Sequence, residues 1–165
     1  EAAEIAHGLP AGRLRSFAFE HLPFHQPARW QGLNRAATRT AVPPIVGSDL
    51  NAGALGTARR NAKRAQVFES LELHRADATQ LPVNSGAPGL VVANVPYGKR
   101  VGDPGALSAL FKALGAGLRR SHPGWRYAFL TNSEPSSFGL PVDAVHPVAN
   151  GGLRCQVVCG RIALK

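Results

Sequence analysis

The chain has 165 residues, the size of one domain, and its 44% hydrophobic and 18% charged residues are typical of a globular protein. No apolar run approaches the roughly 18–20 residues that a membrane-spanning helix needs, which argues against a membrane-embedded protein. Nineteen Lys and Arg against ten Asp and Glu give a formal charge of +9. This charge favours nucleic acid as a partner, although a solvated basic surface would also explain it.

The chain begins inside an expected helix, residues 1–6, which stops at Gly8. Because nothing upstream caps this helix, we expect the sequence to be a fragment of a longer protein. The next segment, 8–26, has no helical or strand period and interleaves basic with aromatic residues. They are Arg13, Arg15, Phe17, Phe19, His21, Phe24 and His25. A loop of this length tends to be functional, and both a lid packed on the domain and a substrate-contacting segment fit it.

From residue 27 onward, expected helices alternate with expected strands. A helix over about 27–39 has a proline in its first turn, Asn51 caps a helix that runs through Ala65, and Asp103-Pro104 starts a helix that ends near Arg120. Apolar runs predict strands at 44–49, 71–77, 89–94 and 125–132, of which 89–94 is expected to be buried on both faces. The runs 142–148 and 153–163 predict a hairpin around Asn150-Gly151-Gly152.

This alternation predicts an α/β fold, a Rossmann-like, doubly wound and mainly parallel sheet closed by a C-terminal antiparallel hairpin. We expect one domain over 1–165. In such sheets ligands bind beyond the carboxyl ends of the strands, where Asp49, Asp77, Asn94 and Asn132 are predicted to lie. These residues form the candidate site.

Each of the two acids at strand ends has two interpretations. Asp49 is suited to accept hydrogen bonds from both hydroxyls of a nucleoside ribose, and equally to cap the following helix. Asp77 is suited to accept from an adenine amino group, or to cap. Their joint position at strand ends of one sheet favours the binding role for both.

The run 94–98, Asn-Val-Pro-Tyr-Gly, points to a specific chemistry. An exocyclic base amine is a poor nucleophile because its lone pair is delocalised into the ring, so attack on a sulfonium methyl requires acceptors for its two N–H bonds. The Asn94 side chain and a backbone carbonyl beside Pro96 supply them, and Tyr97 offers a stacking face for a base. A plain turn after a buried strand is the alternative, but Asn at the strand end is less common there.

The same run resembles the N-P-P-Y motif of amino-methylating class I methyltransferases. With the residues through Asp103 it is similar to the THUMP-associated RNA guanine methyltransferases, most of all those acting on bacterial large-subunit rRNA. Similar stretches extend over nearly the whole chain, at 1–6, 15–20, 47–51, 58–62, 123–126 and 150–156. The last, Asn-Gly-Gly-Leu-Arg-Cys-Gln, is far more specific than the four-residue motif.

The resemblance implies a methyltransferase that uses S-adenosylmethionine and modifies the 2-amino group of a guanine in rRNA, with a THUMP domain upstream that captures RNA. The implied cofactor-binding residues are Asp49, Leu50, Asp77, Ala78 and Asn94. The implied catalytic residues are Asn94, Pro96 and Tyr97. The expected RNA contacts are Val95, Tyr97, Lys99, Arg100, Arg13 and Arg15.

The sequence departs from the family pattern in two ways. Val95 replaces the first proline of N-P-P-Y, and the strand and Gly-rich loop that cradle the methionine end of the cofactor would precede Glu1. Both departures permit a basic RNA-binding module without catalysis as an alternative. Because N-P-P-Y chemistry serves adenine as well as guanine amines, a DNA or RNA adenine is an alternative target, and a tRNA guanine is another. A nicotinamide-dependent dehydrogenase is less favoured, because its Gly-rich fingerprint is not found in the sequence.

Cys155 and Cys159 lie four residues apart, with no second Cys or His pair at metal-ligand spacing. Neither a disulfide framework nor a metal site is indicated, and a reducing, cytoplasmic setting is expected.

Overall fold

The computed structural model describes residues 1–33, 42–84, 86–96 and 104–164. The chain divides into two compact units, Glu1–Ala76 and Asp77–Lys165. The predicted end of the helix at residue 39 and the predicted cap Asp103 lie outside the described residues. No helix in the described stretches combines the length and apolar character needed to cross a membrane.

The first unit is a strand–helix–strand unit preceded by short helices. The helices are α1 (Ala2–Ala6), α2 (Pro27–Leu33) and α3 (Ala52–Arg64), and the strands are β1 (Ile45–Asp49) and β2 (Leu71–Arg75). β1 and β2 pair in parallel, with α3 as the connection between them. Ala62 of α3 is buried against Ala3 and Val67, which ties α1 and the end of α3 to the same small core.

The start of α3 confirms the predicted cap. The side-chain oxygen of Asn51 accepts from the N–H groups of Gly53 at 2.8 Å and Ala54 at 3.3 Å. These are two of the donors that the first turn of a helix leaves without an internal partner. Lys63 and Arg64 occupy the last turn, where the helix dipole favours positive charge.

The second unit contains a mixed sheet. Its strands are β3 (Leu90–Asn94), β4 (Arg126–Thr131), β5 (Ala144–Asn150) and β6 (Leu153–Arg161), and α4 (Pro104–Ser121) connects β3 to β4. The strand order is β3-β4-β6-β5, with β3 parallel to β4 and β6 antiparallel to both of its neighbours. Gly151 and Gly152 have φ values of 55° and 81°, the left-handed conformation that a tight hairpin turn requires. The predicted hairpin is confirmed.

The core of the second unit joins α4 to β4 and β6. Its buried members include Phe111, Leu114, Leu118, Tyr127, Phe129, Phe138, Val158 and Ile162. The ring of Phe138 lies 4.8 Å from that of Phe111 and 5.1 Å from that of Phe129. This packing fixes the end of β4 relative to the helix.

Two strand predictions are corrected by the structure. β2 ends at Arg75 rather than at Asp77, because the Asp77 carboxylate bonds to Thr79 and turns the chain, in competition with strand extension. β3 is not buried on both faces in the described structure: Val91 packs against the core, whereas Leu90 and Val92 are 50% and 70% exposed. A continuous apolar run does not reveal which of its faces is covered.

The described strands form two sheets, β1-β2 and β3-β4-β6-β5, whereas alternation alone predicts one. The order of strands in a doubly wound sheet reverses at its switch point, so strands that follow each other there need not pair.

Candidate active site

Asn94 is the last residue of β3, and its side chain is exposed. Val95, the next residue, is buried in the core, and its N–H donates to the carbonyl of Leu130 on β4 at 3.2 Å. Proline has no N–H and could not make this bond. Burial and a hydrogen bond therefore hold the loop where the N-P-P-Y motif has a proline ring.

The arrangement provides acceptors for an amine. The Asn94 side chain contributes an oxygen at the carboxyl end of β3, and the Val95 carbonyl precedes Pro96, which is exposed. Both acceptors are carried on backbone that is fixed by the core of the second unit. The predicted site residues Tyr97, Lys99 and Arg100 lie outside the described residues.

A second loop of the same unit follows β4 at the same edge of the sheet. Asn94 pairs with Leu130, and Thr131 pairs with Gln156 of β6. The hydroxyl oxygen of buried Thr131 accepts from the N–H of Ser133 at 3.0 Å, and the Gln156 amide donates to the Ser133 carbonyl at 2.6 Å. The loop that carries Asn132 is thus held from two strands.

Gln156 and Ser133 were missed as site residues by the sequence analysis. Gln156 is the last residue of the family-like stretch 150–156, a pattern that assigns it no role. Its partner is 23 residues away, and that pairing depends on the register of β6 against β4, which a sequence does not give.

The Asp77 carboxylate is fixed by a local turn. One oxygen accepts from the N–H of Thr79 at 2.8 Å and from its hydroxyl at 2.7 Å. These hydrogen bonds lower the pKa of Asp77 below its ordinary value, the backbone bond contributing most. Asp77 is therefore ionised at neutral pH, and Ala78 beside it is exposed.

Asp49 and Leu50 lie at the carboxyl end of β1, both exposed. One Asp49 carboxylate oxygen accepts from the N–H of Asn51 at 2.7 Å, and Arg75 donates from Nε to the Leu50 carbonyl at 3.0 Å. Among the described residues the second oxygen of Asp49 has no hydrogen bond. Asp49 is thus both a turn-forming residue and a carboxylate with an oxygen available to a ligand.

The two predicted basic contacts of the first unit differ in what they bind. Arg13 donates to the Ala65 carbonyl and, at 3.3 Å, to the side-chain oxygen of Gln66. Arg15 is exposed, with its guanidinium carbon 4.1 Å from the centre of the Phe17 ring. Arg13 therefore anchors its segment to the end of α3, whereas Arg15 faces solvent.

The structure brings Asn94, Val95 and Pro96 together with the loop after β4 in the second unit. Asp77 and Ala78 belong to that unit as well, and Asp49 and Leu50 belong to the first. Within the described ranges, no cluster of three or more His, Cys, Asp and Glu side chains is arranged to hold a metal ion.

Comparison with known proteins places these residues in a family. Residues 1–139 match the family described as UPF0020: RMKL-like, methyltransferase domain. The ribosomal RNA large subunit methyltransferase K/L of Pseudoalteromonas translucida is 35% identical over 81% of this chain and 20% of its own length. The protein of the same name from Legionella pneumophila strain Corby is 34% identical over 96% of this chain and 23% of its own length.

A solved structure shares the fold. The putative methyltransferase SMU.472, complexed with SAH, has a TM-score of 0.84 over 99% of this chain and 44% of its own, with 24% identity. The predicted Rossmann-like methyltransferase fold is thereby confirmed. The chain spans about a fifth of the length of the curated relatives. With most of its length matched by the family and these relatives above 30% identity, the chain belongs to the UPF0020 family of RMKL-like methyltransferase domains.

Proposed function

We propose that this chain is the base-facing part of an S-adenosylmethionine-dependent methyltransferase that acts on the 2-amino group of a guanine in large-subunit rRNA. The observation that carries the proposal is the anchored run Asn94-Val95-Pro96 at the carboxyl end of β3. The names of the relatives, which are ribosomal RNA large subunit methyltransferases, support rRNA as the substrate.

The chain's own residues act on the target amine. The Asn94 side-chain oxygen and the Val95 carbonyl accept its two N–H bonds, which turns the nitrogen lone pair out of conjugation and aims it. Because Val95 is buried and bonded to Leu130, the backbone that carries the two acceptors does not have to be ordered when the base binds. Tyr97 is proposed to stack on the base.

The carboxylates suit the ribose and adenine of the cofactor. Asp49 has an exposed carboxylate oxygen for the ribose hydroxyls, with Leu50 beside it as an apolar contact. Asp77 is ionised at neutral pH and is held by Thr79, which supports a role as acceptor for the adenine amine, next to Ala78. When bound, S-adenosylmethionine supplies a methyl group on a positively charged sulfur.

We further propose the setting of the intact protein. The charge of +9 supports an RNA partner, and an rRNA substrate implies a cytoplasmic location. A THUMP domain upstream, which the family resemblance implies, would supply additional RNA capture. We propose that the two compact units together form one catalytic domain.

The test uses the intact protein that contains this chain. Purified protein is incubated with large-subunit rRNA from a strain that lacks its gene and with methyl-labelled S-adenosylmethionine, and the nucleosides are then identified by mass spectrometry. We expect label in N2-methylguanosine. Label in methyladenosine, or none in any nucleoside while the protein binds the cofactor, would reject the proposed reaction.

A further inference from the structure

Residues 17–30 of the first unit form an aromatic cluster. The rings of Phe17 and Phe19 stack at 5.6 Å, and Trp30 meets them edge-on at 5.4 and 4.9 Å. His25 lies 5.6 Å from Phe19. In the described structure none of these rings belongs to the buried core of the unit, which joins α1 to the end of α3. The aromatic cluster is therefore separate from the buried core of the first unit.

The cluster is open to solvent. Phe19 is 38% exposed, and Phe24, next to His25 in the chain, is 77% exposed. Single exposed apolar residues are ordinary, but an exposed phenylalanine that is the sequence neighbour of a group of partly exposed rings marks a binding surface more often. We call Phe17, Phe19, Phe24, His25 and Trp30 the aromatic platform.

The surroundings of the platform are basic. Arg15 lies over Phe17, and Arg29 and His21 are exposed on the same segment. The only acidic residue between 12 and 33 is Glu20, and its carboxylate accepts from the Phe17 N–H at 2.8 Å. Exposed rings flanked by cations suit a partner that carries both flat apolar faces and negative charge.

The segment that carries the platform is anchored at two points. Arg13 ties the segment to the Ala65 carbonyl at the end of α3, and Glu20 closes a turn onto Phe17. A surface that is ordered before binding loses less conformational entropy when it binds than a flexible loop does. This order distinguishes the segment from a disordered basic tail.

We infer that the aromatic platform binds an unpaired stretch of RNA, with a base stacked on Phe24 and a phosphate held by Arg15. Bases inside a duplex are already stacked and cannot offer their faces to a side chain, so the ligand is single-stranded. The inference rests on the proposed function in its choice of RNA as the partner. It adds a recognition surface that is distinct from the residues at the end of β3.

The test measures the binding of RNA by the chain and its variants in the absence of the cofactor. Fluorescence anisotropy of a labelled RNA of about ten unpaired nucleotides is compared with that of an abasic strand of equal length and charge. We expect Phe24→Ala to weaken binding of the RNA by about 5- to 150-fold, the range for loss of one stacked base. It should leave binding of the abasic strand unchanged. Phe24→Trp should retain binding.

Two further variants separate stacking from charge and from general surface effects. Ile5→Ala removes a side chain that is 79% exposed on α1 and should change nothing. Arg15→Ala should weaken binding of both strands and reduce the dependence of the binding constant on salt. Phe24→Ala should leave that salt dependence as it is.

The inference is overturned if the unaltered chain does not bind the RNA, or if Phe24→Ala binds both strands as the unaltered chain does. If Phe24→Ala instead changes self-association of the chain on gel filtration, protein covers the platform and the RNA assignment is wrong. Because methyl transfer is not measured, an inactive enzyme that still shows the Phe24 effect would reject the proposed function alone.

Discussion

The position of the Asp77 carboxylate is set by hydrogen bonds from Thr79. The N–H and the hydroxyl of Thr79 both donate to the same carboxylate oxygen, and both bonds favour the ionised form. Because the pKa of Asp77 is lower in the folded chain, its stabilising contribution is present above the unfolded-state pKa. That contribution is lost as the pH falls through the folded-state value.

Removal of the Thr79 hydroxyl tests this arrangement. Thr79→Val keeps the backbone N–H and abolishes the side-chain hydrogen bond, so we expect the pKa of Asp77 to rise toward 3.8. Titration of the Asp77 carboxyl carbon by NMR measures it. Thr79→Ser retains a hydroxyl and serves as the control. A pKa in Thr79→Val equal to that of the unaltered chain would show that the side-chain bond has no influence.

Gln156 is the residue that holds the loop after β4. Gln156→Leu leaves the partly buried Ser133 carbonyl without its donor, and we expect a loss of about 1–3 kcal/mol in the free energy of unfolding. Urea denaturation measures the loss. Gln31→Leu, at an exposed position on α2, should stay within about 0.5 kcal/mol of the unaltered chain. Equal effects of the two substitutions would contradict the role of Gln156.

Among single residues, the sequence predicted those whose signal is local. Asn51 follows a strand and precedes a helical pattern, so its capping role was predictable and is confirmed. Thr79 and Gln156 act through contacts that depend on a turn and on strand register, and neither was predicted. The roles of Asp49, Asp77 and Asn94 in binding and catalysis stay predictions.

At the scale of elements, α4 approaches the Asp77 turn because it carries glycine there. A Cβ on Gly117 would overlap the carbonyl oxygen of Thr79. The same carbonyl accepts from Arg120, one turn further along the helix, at 3.3 Å. Gly117 therefore allows the helix and the Asp77 turn to be in contact.

The same substitution at two helical glycines should have opposite effects. Gly117→Ala should destabilise the chain by about 1–3 kcal/mol, because the overlap outweighs the better helix propensity of alanine. Gly56→Ala in α3 meets only Arg60 at 3.5 Å and should stabilise the chain by up to about 1 kcal/mol. Urea denaturation compares the two. A stabilising Gly117→Ala would contradict the close approach.

Helices and strands with a clear period or turn signal were predicted to within about two residues at each end, as in α3 and in the hairpin of β5 and β6. The wrong predictions concern strands whose end or burial depends on a side-chain contact or on a neighbouring element. The Asp77–Thr79 bonds end β2 early, and β3 has an apolar face that is exposed in the described structure. Apolar content alone could not reveal either fact.

At alkaline pH, the stability of the whole molecule depends on a buried phenol in the core, the side chain of Tyr127. Burial raises the pKa of Tyr127 to about 12, aided by Asp143 and Cys159, and its hydroxyl donates to the Pro141 carbonyl at 2.7 Å. Because this pKa is raised on folding, its contribution to stability is present below about pH 10. It is lost as the pH rises toward 12.

Tyr127→Phe should remove that part of the pH dependence. The unaltered chain should lose more unfolding free energy between about pH 10 and pH 12 than the variant does. At neutral pH the variant should be about 1–3 kcal/mol less stable, since the Pro141 carbonyl loses its donor. Denaturation at several pH values measures both effects. Parallel stability curves for the two proteins would contradict the assignment.

We propose that Asn94 acts on the target amine, whereas Asp49 holds the cofactor. Steady-state kinetics of the intact protein with Asn94→Ala and Asp49→Ala, together with calorimetry of S-adenosylmethionine binding, tests it most directly. We expect Asn94→Ala to lower kcat by about 100-fold and cofactor affinity far less, and Asp49→Ala mainly to weaken cofactor binding. Unaltered activity in both variants, or a loss of cofactor affinity in Asn94→Ala with kcat retained, would contradict these two roles.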